Sequence, residues 1–303
     1  MGENTNYADP AYDVTVILCT LNRGILLAAA LQKVAVVIRG NAPAKVELLV
    51  VDNGSTDTTP AVIQQFIAEN PDIAAHTVHE PKRGLATARN AGMKHACGRI
   101  LMFCDDDAEL APDFFTVLLK LYADDKAPMM RGGRVLLGNP QDLPYTIKTD
   151  AEPAVYRGRY PGGFIHGCCM AFSRKIYELI GPMDDRFSNS ATFPSADESD
   201  YIHRAYKAGF QVLFCPEMVV HHFHGRRDPA DIRSLFERYM IGDGALFAKH
   251  WNNGLLRCLI GNIFHALRSL VMEVKPFDAA MGFTYRDAAI GNLRGFLLYW
   301  RKG

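Results

Sequence analysis

Strand-like and helix-like stretches alternate four times in about the first hundred residues, and this rhythm limits the open folds most. "YDVTVILCT" (12–20), "KVELLVVD" (45–52), "IAAHTVHE" (73–80) and "RILMFC" (99–104) are β-branched or continuously apolar, as strands buried on both faces are. Between them lie "GILLAAALQKVAVVI" (24–38), a stretch at roughly 58–69, and "GLATARNAGMKHACG" (84–98), each with helical spacing or helix punctuation. Short links between them predict parallel βα units, and such sheets bind ligands beyond the carboxyl ends of their strands. Three of those ends carry polar clusters, "TLNR" (20–23), "DNGSTD" (52–57) and "DDD" (105–107), which the fold would bring to one rim. Residues 130–173 read as antiparallel or mixed strand. "SADESDYIHRAYKAGF" (195–210) reads as a helix, "QVLFCP" and "MVVHHFH" as two strands, and the chain from 229 onward as helical.

The aspartate triplet at 105–107 sets a charge problem. Three adjacent carboxylates at the end of a core strand repel one another and lose solvation. A hard divalent ion, Mg2+ or Mn2+, would compensate them and leave coordination positions for phosphate oxygens. The plainer account is that one aspartate caps the helix at Pro112 and the others stay solvated. No glycine cradle of the dinucleotide-binding or P-loop kind is present, so a nucleotide's diphosphate would need such an ion.

Taken in order, "VTVILCTLNRG", "ELLVVDNGSTD", "RGLATARNAG", "GRILMFCDDDAEL", "GCCMAFSRKIYELIGPMDDRF" and "ADESDYIHRAYKAGFQVLFCPEMVVHHFH" resemble the family 2 glycosyltransferases, which have the GT-A fold. The resemblance covers about residues 13–224. It implies an α/β domain over 1–228, with a nucleotide-sugar half (about 13–110) and an acceptor half (about 111–228), followed by a helical segment over 229–303. It also implies a UDP-, GDP- or dTDP-sugar donor, a bound Mn2+ or Mg2+, and inversion at the anomeric carbon. By the same resemblance, Thr20, Asn22 and Arg23 would meet the nucleobase and Asp52 the base or ribose. Gly84 and Arg89 would serve the nucleotide's anionic end, Asp105 the ribose, Asp107 the metal, and Asp106 either of these two jobs.

The family's Glu-Asp-x-Asp motif, which carries the base, falls on "DESD" (197–200). Asp200 and Arg204 keep the family interval, which puts the general base on Glu198 and its neighbour on Asp197. The order is swapped relative to the family, so both residues stay in view. An acidic first turn favoured by the helix dipole is the plain alternative. The family's metal-binding histidine falls on His222, with His224 in reserve. Gly167, Cys168 and Asp200 would lie on the acceptor side.

Lys plus Arg and Asp plus Glu both total 33, so no global charge points to nucleic acid. The polar start has no signal-peptide pattern, Asn6 weakens a myristoylation motif, and no run of about 18 apolar residues is present. The seven cysteines show no C-x-x-C spacing, which suits a reducing cytoplasm. Residues 251–303 hold seven Lys or Arg against three Asp or Glu, with apolar residues at 256, 259, 260, 263, 264, 267, 270 and 271. Such helices either pack on the domain or rest on an anionic membrane face, within reach of a glycan or lipid-linked acceptor. Two other readings share the scaffold. A sugar-1-phosphate nucleotidyltransferase would want a Gly-rich loop with Arg and Lys after the first strand. A non-catalytic carbohydrate or metal binder would have no need of "DESD".

Overall fold

The computed structural model describes residues 10–188 and 192–302. The N-terminal positions on which the signal-peptide and myristoylation readings rest lie outside them. In chain order the elements are β1 (Tyr12–Thr20), α1 (Gly24–Gly40), β2 (Val46–Asp52), α2 (Thr59–Glu69), β3 (Ala74–His79), α3 (Leu85–His95) and β4 (Gly98–Asp105). Then come β5 (Ala108–Leu110), α4 (Phe114–Ala123), β6 (Met129–Leu137), β7 (Ala154–Val155), β8 (Met170–Ser173), α5 (Arg174–Ile180) and α6 (Asp197–Lys207). The chain closes with β9 (Gln211–His222), α7 (Pro229–Lys249), α8 (Leu256–Arg268) and α9 (Tyr285–Lys302).

The strands form one mixed sheet in the order β3-β2-β1-β4-β8-β6-β9-β5, with β7 paired to β9. β1 to β4 are mutually parallel, as the continuous apolar runs of β1, β2 and β4 predict, and β3, with its two histidines, is a half-exposed edge strand. β8 runs antiparallel to β4 and β6. Alternate residues of β1 point to opposite layers. Val14, Val16 and Leu18 pack with Leu27, Leu31, Ile63 and Phe115, while Ile17 packs with Ala86, Met93 and Tyr201. Helices therefore cover both faces of the sheet.

Strand order reverses at β1, which has β2 on one side and β4 on the other. The gap beyond the β1 and β4 ends, where Cys19 lies beside Asp105 in the register, is the topological switch point and the natural place for a ligand.

Three local expectations need correction. "QVLFCP" and "MVVHHFH" are one strand, β9, whose register against β6 shifts between Gly132 and Arg134. Pro216 sits in this irregular stretch, where a strand tolerates a missing N–H, so it marks a bulge and not a break. α3 ends at His95, and Gly98 opens β4. The tail is not helical throughout, because turns fill most of 269–284.

α7 and α9 cross closely, with glycines where their backbones meet. A Cβ on Gly244 would lie 2.0 Å from the Asn292 carbonyl oxygen, and one on Gly295 1.8 Å from that of Ile241. Asn292 Nδ2 donates to the Met240 carbonyl at 2.8 Å across the same crossing. Phe187, Phe193, Leu246 and Leu255 form a further apolar cluster here, so these helices are packed on the domain.

Candidate active site

A cavity of about 520 Å3 opens at the switch point. The β1 and β4 ends, the start of α3, the 160–168 loop, the first turn of α6, the end of β9 and one face of α7 all contribute to its wall. Of the residues expected from sequence, it brings together Thr20, Arg23, Gly84, Arg89, Asp105, Asp106, Asp107, Gly167, Cys168, Asp197, Glu198 and His222.

Within the protein, two arginines and a histidine compensate the three aspartates. Arg23 Nη2 lies 3.0 Å from Asp106 and 2.8 Å from Asp107, and the Thr20 hydroxyl donates to Asp106 at 2.7 Å. His222 Nε2 lies 3.2 Å from Asp107. Burial alone would raise the Asp107 carboxyl, but His222 and Arg23 hold it below its ordinary range. Asp106 is pushed up, chiefly by burial, against the pull of Thr20 and Arg23. Asp105 is left to Arg89, whose Nη2 sits 3.3 Å away.

Arg89 is the hub of the site. It is only 2% exposed, and beyond Asp105 it reaches Asp197 at 2.9 Å and Glu198 at 3.4 Å. Its guanidinium also lies over the Phe103 ring, 5.0 Å from the centroid. Arg89 is therefore not part of a solvated helix face. The guanidinium, carried on α3, ties the end of β4 to the start of α6, and its bond to Asp197 spans 108 residues of chain. Gly167 makes that possible, since a Cβ there would stand 2.4 Å from Arg89 Nη2 and 2.9 Å from Glu198 Oε2. The close neighbours that require a glycine at 167 are thus Arg89 and Glu198.

Asp197 and Glu198 follow Ala196, which holds a left-handed backbone at φ 77°. A residue with a Cβ costs about 1–2 kcal/mol there, and the turn aims both carboxylates at the cavity. Asp197 is buried and Glu198 is 30% exposed on its side chain. Burial, then the neighbouring Asp197 charge, pushes the Glu198 carboxyl up to about 7, with Arg89 opposing. Asp197 also rises through burial, with Arg89 acting against it.

Asp200 is not brought to the cavity. It is fully buried on the other side of α6, 2.8 Å from both Lys249 Nζ and His250 Nε2 at the end of α7. Burial would raise its carboxyl, yet those two groups hold it below the ordinary range. Its i,i+4 partner Arg204, at 3.6 Å, shows that the interval is structural, so the acceptor-side expectation for Asp200 is corrected.

Asn22 and Asp52 are also outside the cavity lining. Asn22 accepts the Thr56 N–H at 2.8 Å, and Asp52 accepts the Ser55 N–H at 2.9 Å with His79 at 3.4 Å. They brace the rim loops. Asn53, not singled out from sequence, lines the cavity and accepts the Gly84 N–H at 2.8 Å. Cys168 is a buried thiol pushed well up by burial, which suits packing and not nucleophilic chemistry.

Asp105, Asp107 and His222 place one ligand atom each within 4.8 Å of one another. His222 Nδ1 is buried without a hydrogen-bond partner among the described residues. Two carboxylates and an imidazole form a donor set that fits a divalent first-row ion. His166 and His224 stand nearby in the wall, and burial pushes His166 down to about 4.

Sequence reasoning missed Tyr160, His166, Tyr239 and Asp243. Tyr239 and Asp243 sit one helical turn apart on α7, so the wall extends past residue 228 into the segment read as a separate tail. Their signal was faint: an aspartate between two glycines in the apolar run "MIGDGALFA".

Comparison with known proteins agrees with this geometry. The family profile described as Glycosyl transferase family 2 matches residues 15–181, more than half of the chain. Succinoglycan biosynthesis protein ExoM of Rhizobium meliloti is 25% identical over 213 residues, 69% of this chain and 66% of that protein. GalNAc(5)-diNAcBac-PP-undecaprenol beta-1,3-glucosyltransferase of Campylobacter jejuni is 29% identical over 205 residues, 64% of this chain and 63% of that protein. The match thus spans just under two thirds of each relative's own length. In fold, the chain is similar to the mannosyltransferase PcManGT from Pyrobaculum calidifontis, solved with GDP-Man and Mn2+. The TM-score is 0.56 at 21% identity, over 97% of this chain and 75% of that one. Residues 1–349 of S. aureus TarS with UDP-GlcNAc give a TM-score of 0.52 at 13% identity, over 80% of this chain and 72% of that one. The chain belongs to glycosyl transferase family 2 and is built on the GT-A fold.

Proposed function

We propose that the protein is a metal-dependent, inverting glycosyltransferase that moves one sugar from a nucleotide-sugar donor to an acceptor hydroxyl. The observation that carries this is the Arg89 cluster, which holds Asp105 at the donor end of the cavity and Asp197–Glu198 opposite it. Asp105, Asp107 and His222 would hold the ion, and when bound it supplies positive charge to the departing diphosphate. The nitrogen donor favours Mn2+ over Mg2+.

In the transfer, the acceptor oxygen bonds to the anomeric carbon as that carbon's bond to the diphosphate oxygen breaks. The bonding pair leaves with the nucleoside diphosphate, and configuration inverts. Glu198 takes the acceptor's proton. A carboxyl held near 7 is matched to that task close to neutral pH, and Arg89 keeps part of it ionised. Asp197, closer to Arg89, orients the guanidinium and the helix start. Asp52 and the rim loops support the base and ribose.

The acceptor is a glycan or lipid-linked glycan met at a membrane surface. No helix among the described residues is long and apolar enough to cross a membrane. α8 nonetheless exposes an apolar stripe at Ile260, Phe264 and Leu267, continued by Val271 in the turn after it, and α9 exposes another at Ile290, Leu293, Leu297 and Trp300. All seven basic side chains beyond residue 250 are exposed, and of the three acidic ones only Glu273 is. This combination suits an anionic lipid surface. The Campylobacter relative, named for an undecaprenol-linked glycan, supports a lipid-linked acceptor.

Calorimetry with UDP and GDP tests the donor reading. Binding should require Mn2+ or Mg2+, fail in EDTA, and lose its metal dependence in Asp107→Ala. Equally tight binding without metal would overturn it.

A further inference from the structure

Asp243 presents the same kind of charge problem as the aspartate triplet, with no cation among the described residues to answer it. It is 5% exposed, in the middle of α7, and it lines the cavity. Its hydrogen bond among the described residues comes from the Tyr160 hydroxyl, and no Lys, Arg or His pairs with it there. Burial, only partly opposed by that bond, pushes the carboxyl up to about 7. A buried carboxylate without a cation is costly and persists where something else supplies donors.

α7 is not a loosely apposed wall. A Cβ on Gly242 would lie 2.1 Å from Ser195 Oγ, so the helix sits directly on the turn that leads into Glu198. Tyr239, one turn before Asp243, offers an aromatic face to the same cavity. Burial chiefly, and the Glu198 charge after it, push the Tyr239 hydroxyl up, which puts that ring in the field of the proposed base.

We propose that Asp243 and Tyr160 form the acceptor-sugar subsite, accepting hydrogen bonds from sugar hydroxyl or amino groups and rejecting acidic sugars. This rests on the glycosyl-transfer reading above and adds the chemical class of acceptor. Asp243 lines the cavity with one oxygen accepting from Tyr160, and a carboxylate has lone pairs for further sugar O–H and N–H donors. An acceptor carboxylate in the same place would meet it as a like charge, a juxtaposition that costs several-fold or more in affinity.

The test is saturation-transfer NMR of the full chain with UDP or GDP and Mn2+, in buffer alkaline enough to ionise Asp243. The probes are methyl glucoside, methyl glucosaminide and methyl glucuronide. Wild type should bind the first two, and the glucuronide at least about tenfold more weakly. Asp243→Asn should close that gap to within about twofold, and Tyr160→Phe should weaken methyl glucoside by about three- to tenfold while leaving the charge order intact. An unchanged gap in Asp243→Asn overturns the proposal, as does failure of wild type to bind either uncharged or amino glycoside. Should Asp243→Asn not fold, unchanged glucoside affinity in Tyr160→Phe overturns it. Nucleoside diphosphate binding with Mn2+ on the same samples reads the donor site separately. Its loss in wild type would sink the transferase reading, whereas loss of glycoside discrimination alone would sink only this subsite.

Discussion

Replacing Arg89 with glutamine removes one cation from among three carboxylates and should be felt in both stability and pH dependence. A unit charge pair about 4 Å apart interacts by about 4 kcal/mol at an effective dielectric near 20. The contact to Glu198 is 3.4 Å, but that side chain is 30% exposed, so solvent reduces its share. About 1.5–3 kcal/mol remains, which corresponds to roughly one to two pH units. Glu198 already sits at about 7, with burial raising it and Arg89 restraining it. Without the guanidinium it must rise further. A general base works ionised, so wild-type turnover should climb as pH rises through about 7, and in Arg89→Gln that acid limb should move one to two units alkaline. The fold should also lose about 3–5 kcal/mol, the usual result of stranding a buried charge. Arg89→Lys keeps the charge but not the fork, and should fall between the two. Donor-hydrolysis or transfer rates against pH, with thermal melts of each variant, are the assay. An acid limb that stays within about 0.3 units of wild type in Arg89→Gln would refute the coupling.

Glu198→Gln should lower turnover by about 10²–10⁴-fold with donor binding nearly intact, while Asp197→Asn does less. If Asp197→Asn abolishes turnover and Glu198→Gln keeps most of it, their roles are exchanged. Because Glu198 titrates above an unfolded glutamate, its stabilising share is present at acid pH and lost as pH rises through about 7. Metal-free Glu198→Gln should therefore melt higher than wild type in alkaline buffer and gain little in acid. At the tail, changing Phe264, Leu267 and Val271 to serine should abolish flotation with anionic vesicles and leave nucleotide binding unchanged, and persistent flotation would leave these helices a packing role only.

The four parallel strands and the three helices between them were legible because β1, β2 and β4, buried on both faces, leave continuous apolar runs, and the polar clusters at their ends locate the rim. What the sequence hides is pairing between distant side chains. Arg89 sits in "TARNAG", a stretch that reads equally well as a solvated helix face. Only tertiary structure brings it to Asp197 and Glu198. Asp200 misleads in the opposite direction: its spacing to Arg204 is regular, yet its charge answers Lys249 and His250, which follow it by about fifty residues. The tail's apolar row proves too wide for one interface. Leu259 is buried, while Ile260, Phe264 and Leu267 face outward, and periodicity alone cannot divide such a row. Asp243 lay unnoticed in an apolar helix, where a single carboxylate leaves no periodic trace.

The glycine crossing of α7 and α9 bears on how this chain can be recombined with its relatives. The family profile stops at residue 181, and a graft designed on that boundary would treat everything beyond it as an exchangeable cassette. Gly244 and Gly295 leave no side-chain layer at the crossing to absorb a mismatched partner, and Gly242 rests on Ser195 with equally little slack. A chimera that brings in a foreign α9 would shift α7, and with it Tyr239 and Asp243, against the turn bearing Glu198. The unit that can be transplanted intact therefore begins before Ser195 and runs through α9, joining Glu198, the cavity wall at Tyr239 and Asp243, and the outward-facing helices in a single inheritable block.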